Sequence, residues 1–210
     1  MSGLLELLNS SMGRQMIEGV SRETGQPENK TADVLSMALP LLMGAMKKNA
    51  GTPDGAAGLM NALSSKHSGG ILDDLGGLFG GGVDASVKQD GMGILGHVLG
   101  ARQPAVENAL SQKSGMDPSA IAQILQIAAP IVMGFLGRQR AQSNVSDANG
   151  LTTLLGSMLG GQPQQNQSLI TSLLDTDGDG SVLDDVADMV IGSKSKKGGL
   201  GGLLGGLFGK

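Results

Sequence analysis

The stretch Ala38-Leu39-Pro40-Leu41-Leu42-Met43-Gly44 recurs ninety residues later as Ala128-Ala129-Pro130-Ile131-Val132-Met133-Gly134. Residues 20–49 align with residues 110–139 without a gap. Eight aligned positions are identical, namely Ser21/Ser111, Gly25/Gly115, Ala32/Ala122, Leu35/Leu125, Ala38/Ala128, Pro40/Pro130, Met43/Met133 and Gly44/Gly134. This period is too long for a solenoid repeat. We therefore predict that one small helical unit is duplicated in the chain.

The similarity continues beyond this alignment. Gly58-Leu59 lies opposite Gly150-Leu151 after a two-residue insertion, and residues 69–75 parallel residues 180–186. Both copies later reach the sequence Gly-Gly-Leu-Phe-Gly, at 76–80 and at 205–209. These matches predict four regions: a first helical unit at 1–75, a Gly-rich linker at 76–90, a second helical unit at 91–193 and a flexible Gly/Leu-rich tail at 194–210.

The spacing of apolar residues within each copy predicts an all-α fold. Apolar residues between 4 and 20 recur at intervals of three and four, and Gly25 and Gly115 are typical helix stops. Asp117 and Pro118 are typical of an N-cap and a first helical position. The stretches 32–47 and 122–138 are apolar nearly all round, which predicts buried central helices bent or split by their internal prolines. A membrane span is disfavoured because it needs about 20 apolar residues.

Composition excludes several classes of function. The 210 residues include three Phe, no Trp or Tyr, twelve Met and thirty-six Gly, so the core must be aliphatic. A net charge of −4 disfavours non-specific nucleic-acid binding, which needs clustered Lys and Arg. With no Cys there is no thiolate zinc site and no cysteine nucleophile. The first residues resemble no secretory signal because Glu6 interrupts them and no basic region precedes them, so we expect a cytoplasmic protein.

One stretch, at 175–185, has the spacing of metal ligands. Asp175, Asp177 and Asp179 occupy positions 1, 3 and 5 of an EF-hand-like loop, and Gly180 at position 6 permits the sharp turn. Oxygen ligands from Ser181 and from Asp184 or Asp185 would complete a Ca²⁺ site. Position 12 is Val186 instead of the bidentate Glu, so we expect weak binding, and Mg²⁺ remains open as the ion.

The alternative interpretation is that these residues form a solvated turn, with the second Asp pair capping the next helix. The first copy keeps Leu72-Asp73-Asp74 although Ser64, Lys66 and Ser68 replace the three ligand Asp residues. The Asp pair therefore has a use without metal. We assign capping to the pair in general, and metal binding to the second copy.

No enzyme signature is present, and we expect a non-enzymatic protein. There is no Gly-x-Ser-x-Gly elbow, phosphate-binding Walker loop or His-Glu-x-x-His sequence. The two histidines, His67 and His97, have no acidic partner at a recognisable spacing. We interpret His97 as a helix-surface or packing residue.

Partners are not identified by the sequence. A homo-oligomer or a protein partner is one interpretation. A nucleic-acid-binding module using Lys47-Lys48 and 138–140 is another, disfavoured by the net charge. In the tail, Leu200, Leu203, Leu204, Leu207 and Phe208 lie among glycines after a basic patch at 194–197, which is typical of a disordered end or of a segment that orders on a partner or a membrane surface.

Taken together, the segments at 90–97 and 129–134, the Asp-rich loop and the Gly-Leu-Phe tail resemble a bacterial family, numbered 937 among domains of unknown function and related to YidB-like proteins. The resemblance covers residues from about 10 to 210. It implies a bacterial helical protein, with packing like that of small homeodomain-type helices, and no established activity. Our leading hypothesis is a structural or interaction protein that binds one divalent cation, Ca²⁺, through the Asp-rich loop.

Overall fold

A computed structural model describes residues 4–160, 170–172 and 174 of the chain. Residues 4–160 form nine α-helices and two 3₁₀ turns, and no strand occurs in the described part of the chain, which confirms the all-α prediction. The helices are α1 Leu4–Asn9, α2 Ser11–Thr24, α3 Glu28–Asn49, α4 Pro53–Ser65, α5 Leu75–Gly80, α6 Ala85–Val98, α7 Gln103–Ser114, α8 Pro118–Gln142 and α9 Ala148–Leu159. The 3₁₀ turns are Gly70–Leu72 and Gly100–Arg102, and residues 170–172 and 174 are also helical.

The turn between the two main helices is the same in both copies. Helices α2 and α7 end at the predicted glycines, with Gly25 at φ 65° and Gly115 at φ 66°. An L side chain rarely adopts this left-handed conformation, which explains the identical glycines. The Ser21 and Ser111 hydroxyls each donate to the carbonyl oxygen five residues later, at 2.5 and 2.6 Å. The aligned sequences therefore fold alike at this turn.

Helices α3 and α8 form the buried centre, as predicted, and are longer than the apolar stretches that indicated them. Pro40 and Pro130 lie inside them, and both helices continue across their proline. The internal prolines therefore do not split either helix. Helix α8 is long and apolar enough to cross a membrane by composition, and 83% of its most apolar window is buried inside the protein. This burial is typical of a core helix.

The first helical stretch differs from the prediction by one break. The apolar residues between 4 and 20 fall in two helices, α1 and α2, which are separated at Ser10. The Ser10 hydroxyl accepts a hydrogen bond from the Gly13 amide at 3.1 Å and so caps α2. At the start of α8, Asp117 and Pro118 take the predicted positions, although the Asp117 side chain makes no capping hydrogen bond.

The two copies share one core in the described residues. Helix α4 of the first copy packs on α8, and α9 of the second copy packs on α3; α2 contacts α8 and α7 contacts α3 in the same reciprocal manner. The aligned glycines of the central helices receive these crossing segments. Gly44 lies against Ile170 and Leu174, and Gly134 lies against Ile71. Each copy therefore contributes side chains that pack on the central helix of the other copy.

The Gly-rich segment predicted as a linker at 76–90 is largely helical and packed. Helix α5 ends at Gly80 and α6 begins at Ala85. The side chains of Phe79 and Val83 are buried. The apolar residues among the glycines explain this result, because they pack on α2. The segment is therefore part of the core.

The helices α4 and α9 correspond in a different register from the one that the sequence suggested. The Thr52 hydroxyl caps α4 by accepting from the Gly55 amide at 3.1 Å, and the Asp147 carboxylate caps α9 by accepting from the Gly150 amide at 2.7 Å. These caps make Gly55 the counterpart of Gly150, whereas the sequence shift paired Gly150 with Gly58. A shift of three residues in the alignment keeps apolar residues on the buried face, because residues three or four positions apart are neighbours on the surface of a helix.

Candidate functional site

A groove of about 850 Å³ lies between α4 and α6. Its floor is formed by the end of α3 and by Met133 of α8, and the 3₁₀ turn at Gly100–Arg102 closes one side. Apolar side chains from all of these elements line most of it, including Met46, Leu59, Ala62, Ile94, Val98 and Leu99. A concave apolar surface with a few polar groups is the usual form of a binding site in proteins.

Hydrogen bonds at the end of α3 fix the far end of α6. The Asn49 amide donates to the carbonyl oxygens of His97 and Val98, at 3.0 and 3.2 Å. These carbonyls belong to the last turn of α6, where main-chain carbonyl oxygens have no hydrogen-bond donors within the helix. Asn49 thereby joins α6 to α3. The wall of the groove is held in place by a side chain rather than by apolar packing alone.

A buried histidine and a carboxylate meet at the groove. His67 is 7% exposed, and its Nε2 lies 3.6 Å from Oδ2 of Asp90 on α6. Asp90 is also bound by the Lys66 ammonium at 2.5 Å. Burial lowers the pKa of the His67 imidazole; the Asp90 carboxylate opposes this shift and the Lys66 ammonium adds to it. The neutral imidazole is therefore favoured.

This pair was not predicted from the sequence, because His67 follows α4, Asp90 lies on α6, and the two are far apart along the chain. The packing of α6 on α8 and of α4 on α8 brings them together. The main chain at His67 also packs closely on α8 because Gly137 has no side chain. A Cβ at Gly137 would lie 1.8 Å from the His67 carbonyl oxygen. No local signal identifies such a partner. The prediction concerned only partners at a recognisable sequence spacing, and the acidic neighbour of His67 is supplied by helix α6.

His97 lies where the sequence placed it, on the surface of a helix. Its side chain is exposed on α6, and its Nδ1 is 2.8 Å from the carbonyl oxygen of Gly93, one helical turn earlier. This is a bond within one helix. It holds the ring against the α6 surface at the edge of the groove.

Two basic residues at the rim of the groove hold the chain at Leu174. The Lys48 ammonium donates to the Leu174 carbonyl oxygen at 2.7 Å, and the Arg102 guanidinium donates to the same atom at 3.3 Å. The Leu174 side chain is 1% exposed. Asp175, the first predicted metal ligand, is the next residue in the sequence. The predicted loop therefore starts from a fixed point beside two positive charges.

The predicted ligands themselves, Asp175, Asp177, Asp179, Ser181, Asp184 and Asp185, lie outside the described residues. Among residues 4–160, 170–172 and 174, no group of three or more His, Asp or Glu side chains could hold a metal ion. The tail at 194–210 lies outside the described residues as well.

One member of the Asp pair in the first copy, Asp74, caps a helix as predicted, and the other, Asp73, forms an ion pair. The Asp74 carboxylate accepts from the Gly77 amide at 2.7 Å and so caps α5. Asp73 forms an ion pair with Arg138, whose guanidinium also donates to the Gly69 carbonyl oxygen at 3.0 Å. Arg138 aligns with Lys48, so the equivalent basic residues of the two copies each bind a segment of the other copy.

These bonds also bear on the basic residues considered for nucleic-acid binding. Lys48 and Arg138 are bound as described, and the Arg140 guanidinium donates to the Val145 carbonyl oxygen at 3.0 Å. A phosphate-binding patch needs several such side chains directed outward. The contacts disfavour a patch at these positions.

Comparison with known proteins identifies a family. Residues 6–139 and 141–210 match the family model described as a bacterial protein of unknown function, DUF937. No curated protein and no solved structure matches the chain. The family match covers nearly the whole length, including the groove residues, the Asp-rich loop and the tail. The chain therefore belongs to the DUF937 family of bacterial proteins of unknown function.

Proposed function

We propose that this chain is a non-enzymatic structural or interaction protein whose second copy is organised by one divalent cation, Ca²⁺ by preference. Asp175, Asp177 and Asp179 would supply the first ligands, Ser181 its carbonyl oxygen, and Asp184 or Asp185 a closing carboxylate. The observation that carries this proposal is the anchoring of Leu174 by Lys48 and Arg102. A loop whose first residue follows a fixed main chain loses less conformational entropy when it closes on an ion.

The first copy supports the proposal by contrast. At its positions equivalent to the three ligands, Ser64 bonds to the Met60 carbonyl oxygen within α4, and Lys66 binds Asp90. Two of the three positions therefore serve helix and ion-pair contacts, and none of the three carries a carboxylate. Three closely spaced carboxylates in the second copy repel one another unless positive charge lies between them. A cation is the simplest source of that charge.

The two basic side chains at the rim limit the affinity. Lys48 and Arg102 lie beside the start of the loop and supply some of the positive charge that a cation would supply. Like charges also repel an incoming divalent ion. Together with the missing bidentate Glu, this predicts a dissociation constant on the order of 1 mM, the range of weak Ca²⁺ sites.

The test is the thermal midpoint of the full chain with and without Ca²⁺. For a dissociation constant of about 1 mM, 10 mM Ca²⁺ should stabilise the fold by about 1.4 kcal/mol and raise the midpoint by about 3 °C. The double variant Asp175→Ala with Asp177→Ala should lose this gain. The variant Glu6→Ala with Asp33→Ala is the control for net charge, because both residues are exposed and neither lines the groove beside Leu174.

A wild-type midpoint that does not move with Ca²⁺ or Mg²⁺ would sink the proposal. The same holds if the control variant loses the gain equally, because the effect would then reflect general charge screening. Repeating the titration with Mg²⁺ identifies the preferred ion, since Mg²⁺ demands a more regular arrangement of ligands.

A further inference from the structure

A buried histidine in the groove between α4 and α6 has no hydrogen bond from its ring to the described part of the chain. His67 lines this groove and is 7% exposed. Its Nε2 lies 3.6 Å from Oδ2 of Asp90, beyond the usual limit of about 3.2 Å for a hydrogen bond. Neither ring nitrogen is fully enclosed, because the Thr31 hydroxyl is the one fully buried side-chain group without a partner among the described residues. The imidazole therefore has hydrogen-bonding capacity open to the groove.

The charges around this histidine balance each other. The Asp90 carboxylate is bound by the Lys66 ammonium at 2.5 Å, and burial favours the neutral imidazole of His67 by lowering its pKa. A ligand carboxylate would meet the Asp90 carboxylate here, and a ligand ammonium would meet Lys66. Either ion would also lose water on entering. The polar group that fits is therefore uncharged, and a hydroxyl fits well because it can both donate and accept a hydrogen bond.

The rest of the groove is apolar and open. Leu59 and Ala62 of α4 and Val98 of α6 line it and are only partly buried within the described residues. Gly58 and Gly93 also line it, and a Cβ at either position would meet no described atom within 4 Å. The two glycines leave space that a larger residue would fill. An alkyl chain suits this lining because it has no polar atoms to desolvate.

The size and the rigidity of the groove suit a small molecule. Its volume of about 850 Å³ lies within the range of about 300 to 1,000 Å³ that is typical of ligand sites. The Asn49 amide holds the end of α6 through two main-chain carbonyl oxygens, so this wall is in place before a ligand binds. A site that is formed in advance loses less entropy on binding.

We propose that this groove binds a long-chain alcohol, a molecule with one alkyl chain and an uncharged hydroxyl group at its end. The hydroxyl lies between His67 and Asp90, and the chain lies along Leu59, Ala62 and Val98. None of these residues belongs to the Asp-rich loop, and the proposal does not rest on metal binding.

The test compares three molecules that share a ten-carbon chain and differ in the head group: decanol, decanoate and decyltrimethylammonium. Equilibrium dialysis of the full chain at neutral pH, below the concentrations that form micelles, gives a dissociation constant for each. We expect one decanol per chain, bound at least tenfold more tightly than either ion. The reason is that burying a charge costs more than burying a hydroxyl that finds a hydrogen bond.

A matched pair of glycine variants locates the site. Gly93→Leu adds a side chain that extends into the groove, whereas Gly96→Leu adds the same side chain to the same helix at a position that does not line it. A Cβ at Gly96 also meets no described atom within 4 Å, so both variants should fold. We expect Gly93→Leu to weaken decanol binding at least tenfold and Gly96→Leu by less than twofold. Circular dichroism verifies that the helices are retained.

A histidine variant tests the position of the head group. His67→Phe keeps a ring and removes both nitrogens, so decanol binding should weaken about tenfold through the lost hydrogen bond. The preference for decanol over decyltrimethylammonium should fall by the same factor, because the quaternary head group makes no hydrogen bond to the imidazole. A purely structural role of His67 would weaken both molecules equally and leave this preference unchanged.

Four results would overturn the proposal. They are no saturable uptake of decanol by the wild type, binding of either ion as tight as that of decanol, equal effects of Gly93→Leu and Gly96→Leu, and an unchanged preference in His67→Phe. The dialysis contains no added Ca²⁺ or Mg²⁺, and none of these results bears on the thermal shift with Ca²⁺. The two proposals therefore fail separately.

Discussion

The two copies agree at the turn that joins their main helices and differ in the segments that cross from one copy to the other. Gly25 and Gly115 adopt the same conformation beside equivalent serine hydrogen bonds. In contrast, the main chain around His67 and Gly69 of the first copy packs on α8. In the second copy, the side chains of Ile170 and Leu174 pack on α3. The two copies thus agree at this turn and differ in their crossing contacts.

The difference shows where new properties could arise in a duplicated fold. In the first copy the crossing segment ends in Asp73 and Asp74, which pair with Arg138 and cap α5. In the second copy it ends at Leu174, held by Lys48 and Arg102, immediately before the Asp-rich loop. The first arrangement uses its carboxylates within the fold. The second holds Leu174 at the rim of a groove, and the Asp-rich loop is the next segment of the sequence.

The largest expected effect comes from alanine at Gly137, compared with alanine at the aligned position Lys47. At Gly137 a Cβ would lie 1.8 Å from the His67 carbonyl oxygen, so the main chain itself must move. We expect Gly137→Ala to lower the free energy of unfolding by about 3 kcal/mol, the upper range for overpacking. Lys47→Ala, on the half-buried equivalent position, should cost less than about 0.5 kcal/mol. Urea unfolding measures both; similar losses would show that the crossings do not differ as described.

A second, intermediate effect concerns Glu23, which aligns with the exposed Lys113. The Glu23 carboxylate accepts from the Val83 amide at 3.1 Å and from the Lys88 ammonium at 2.6 Å. The bond from Lys88, followed by that from Val83, lowers the pKa of Glu23. Glu23→Gln removes the charge and should lower stability at pH 7 by about 1 to 2 kcal/mol, as expected for hydrogen bonds to a charged group.

The same residue predicts a pH dependence. Because its pKa is lower in the folded protein, the folded state keeps the carboxylate ionised where the unfolded chain binds a proton. The stabilisation is present above the unfolded pKa of 4.5 and is lost as pH falls through the lower, folded value. Unfolding midpoints between pH 7 and pH 3 should therefore fall more steeply for the wild type than for Glu23→Gln. Parallel curves would contradict the assigned bonds.

The smallest effect is a gain. The Thr31 hydroxyl is fully buried and has no hydrogen-bond partner among the described residues, and its counterpart in the second copy is Ile121, which is also fully buried. Thr31→Val removes the unpaired hydroxyl at nearly constant volume and should stabilise the protein by about 1 kcal/mol. Thr24→Val is the control, because that hydroxyl donates to the Val20 carbonyl oxygen at 2.7 Å. A gain in the control or a loss at Thr31 would reject the explanation.

Features with a local cause could be predicted from the sequence. Gly25 and Gly115 indicated helix ends because a left-handed residue is a property of one position. The central helices followed from their apolar surface, and the use of Asp74 as a cap followed from the Asp pair present in both copies, although the helix that it caps was not predicted. The break at Ser10 was missed because the apolar spacing continues across it.

Features that depend on tertiary packing could not be predicted. The repeat showed that two units exist, and it contained no information on whether α4 packs on its own α3 or on α8 of the other copy. The pairing of His67 with Asp90 and the groove itself depend on that choice. The 76–90 segment was interpreted as a linker from its glycines, although Phe79 and Val83 give it a buried face.

The central claim is that the two copies form one cooperative unit. Leu35 and Leu125 are aligned, identical and fully buried, one in each central helix, and Leu→Ala at such positions costs about 2 to 5 kcal/mol. Calorimetry of the wild type, Leu35→Ala and Leu125→Ala tests the claim directly. We predict a single transition in all three proteins, shifted down as a whole by either substitution. Two transitions, with each substitution shifting only the one that belongs to its own copy, would contradict it.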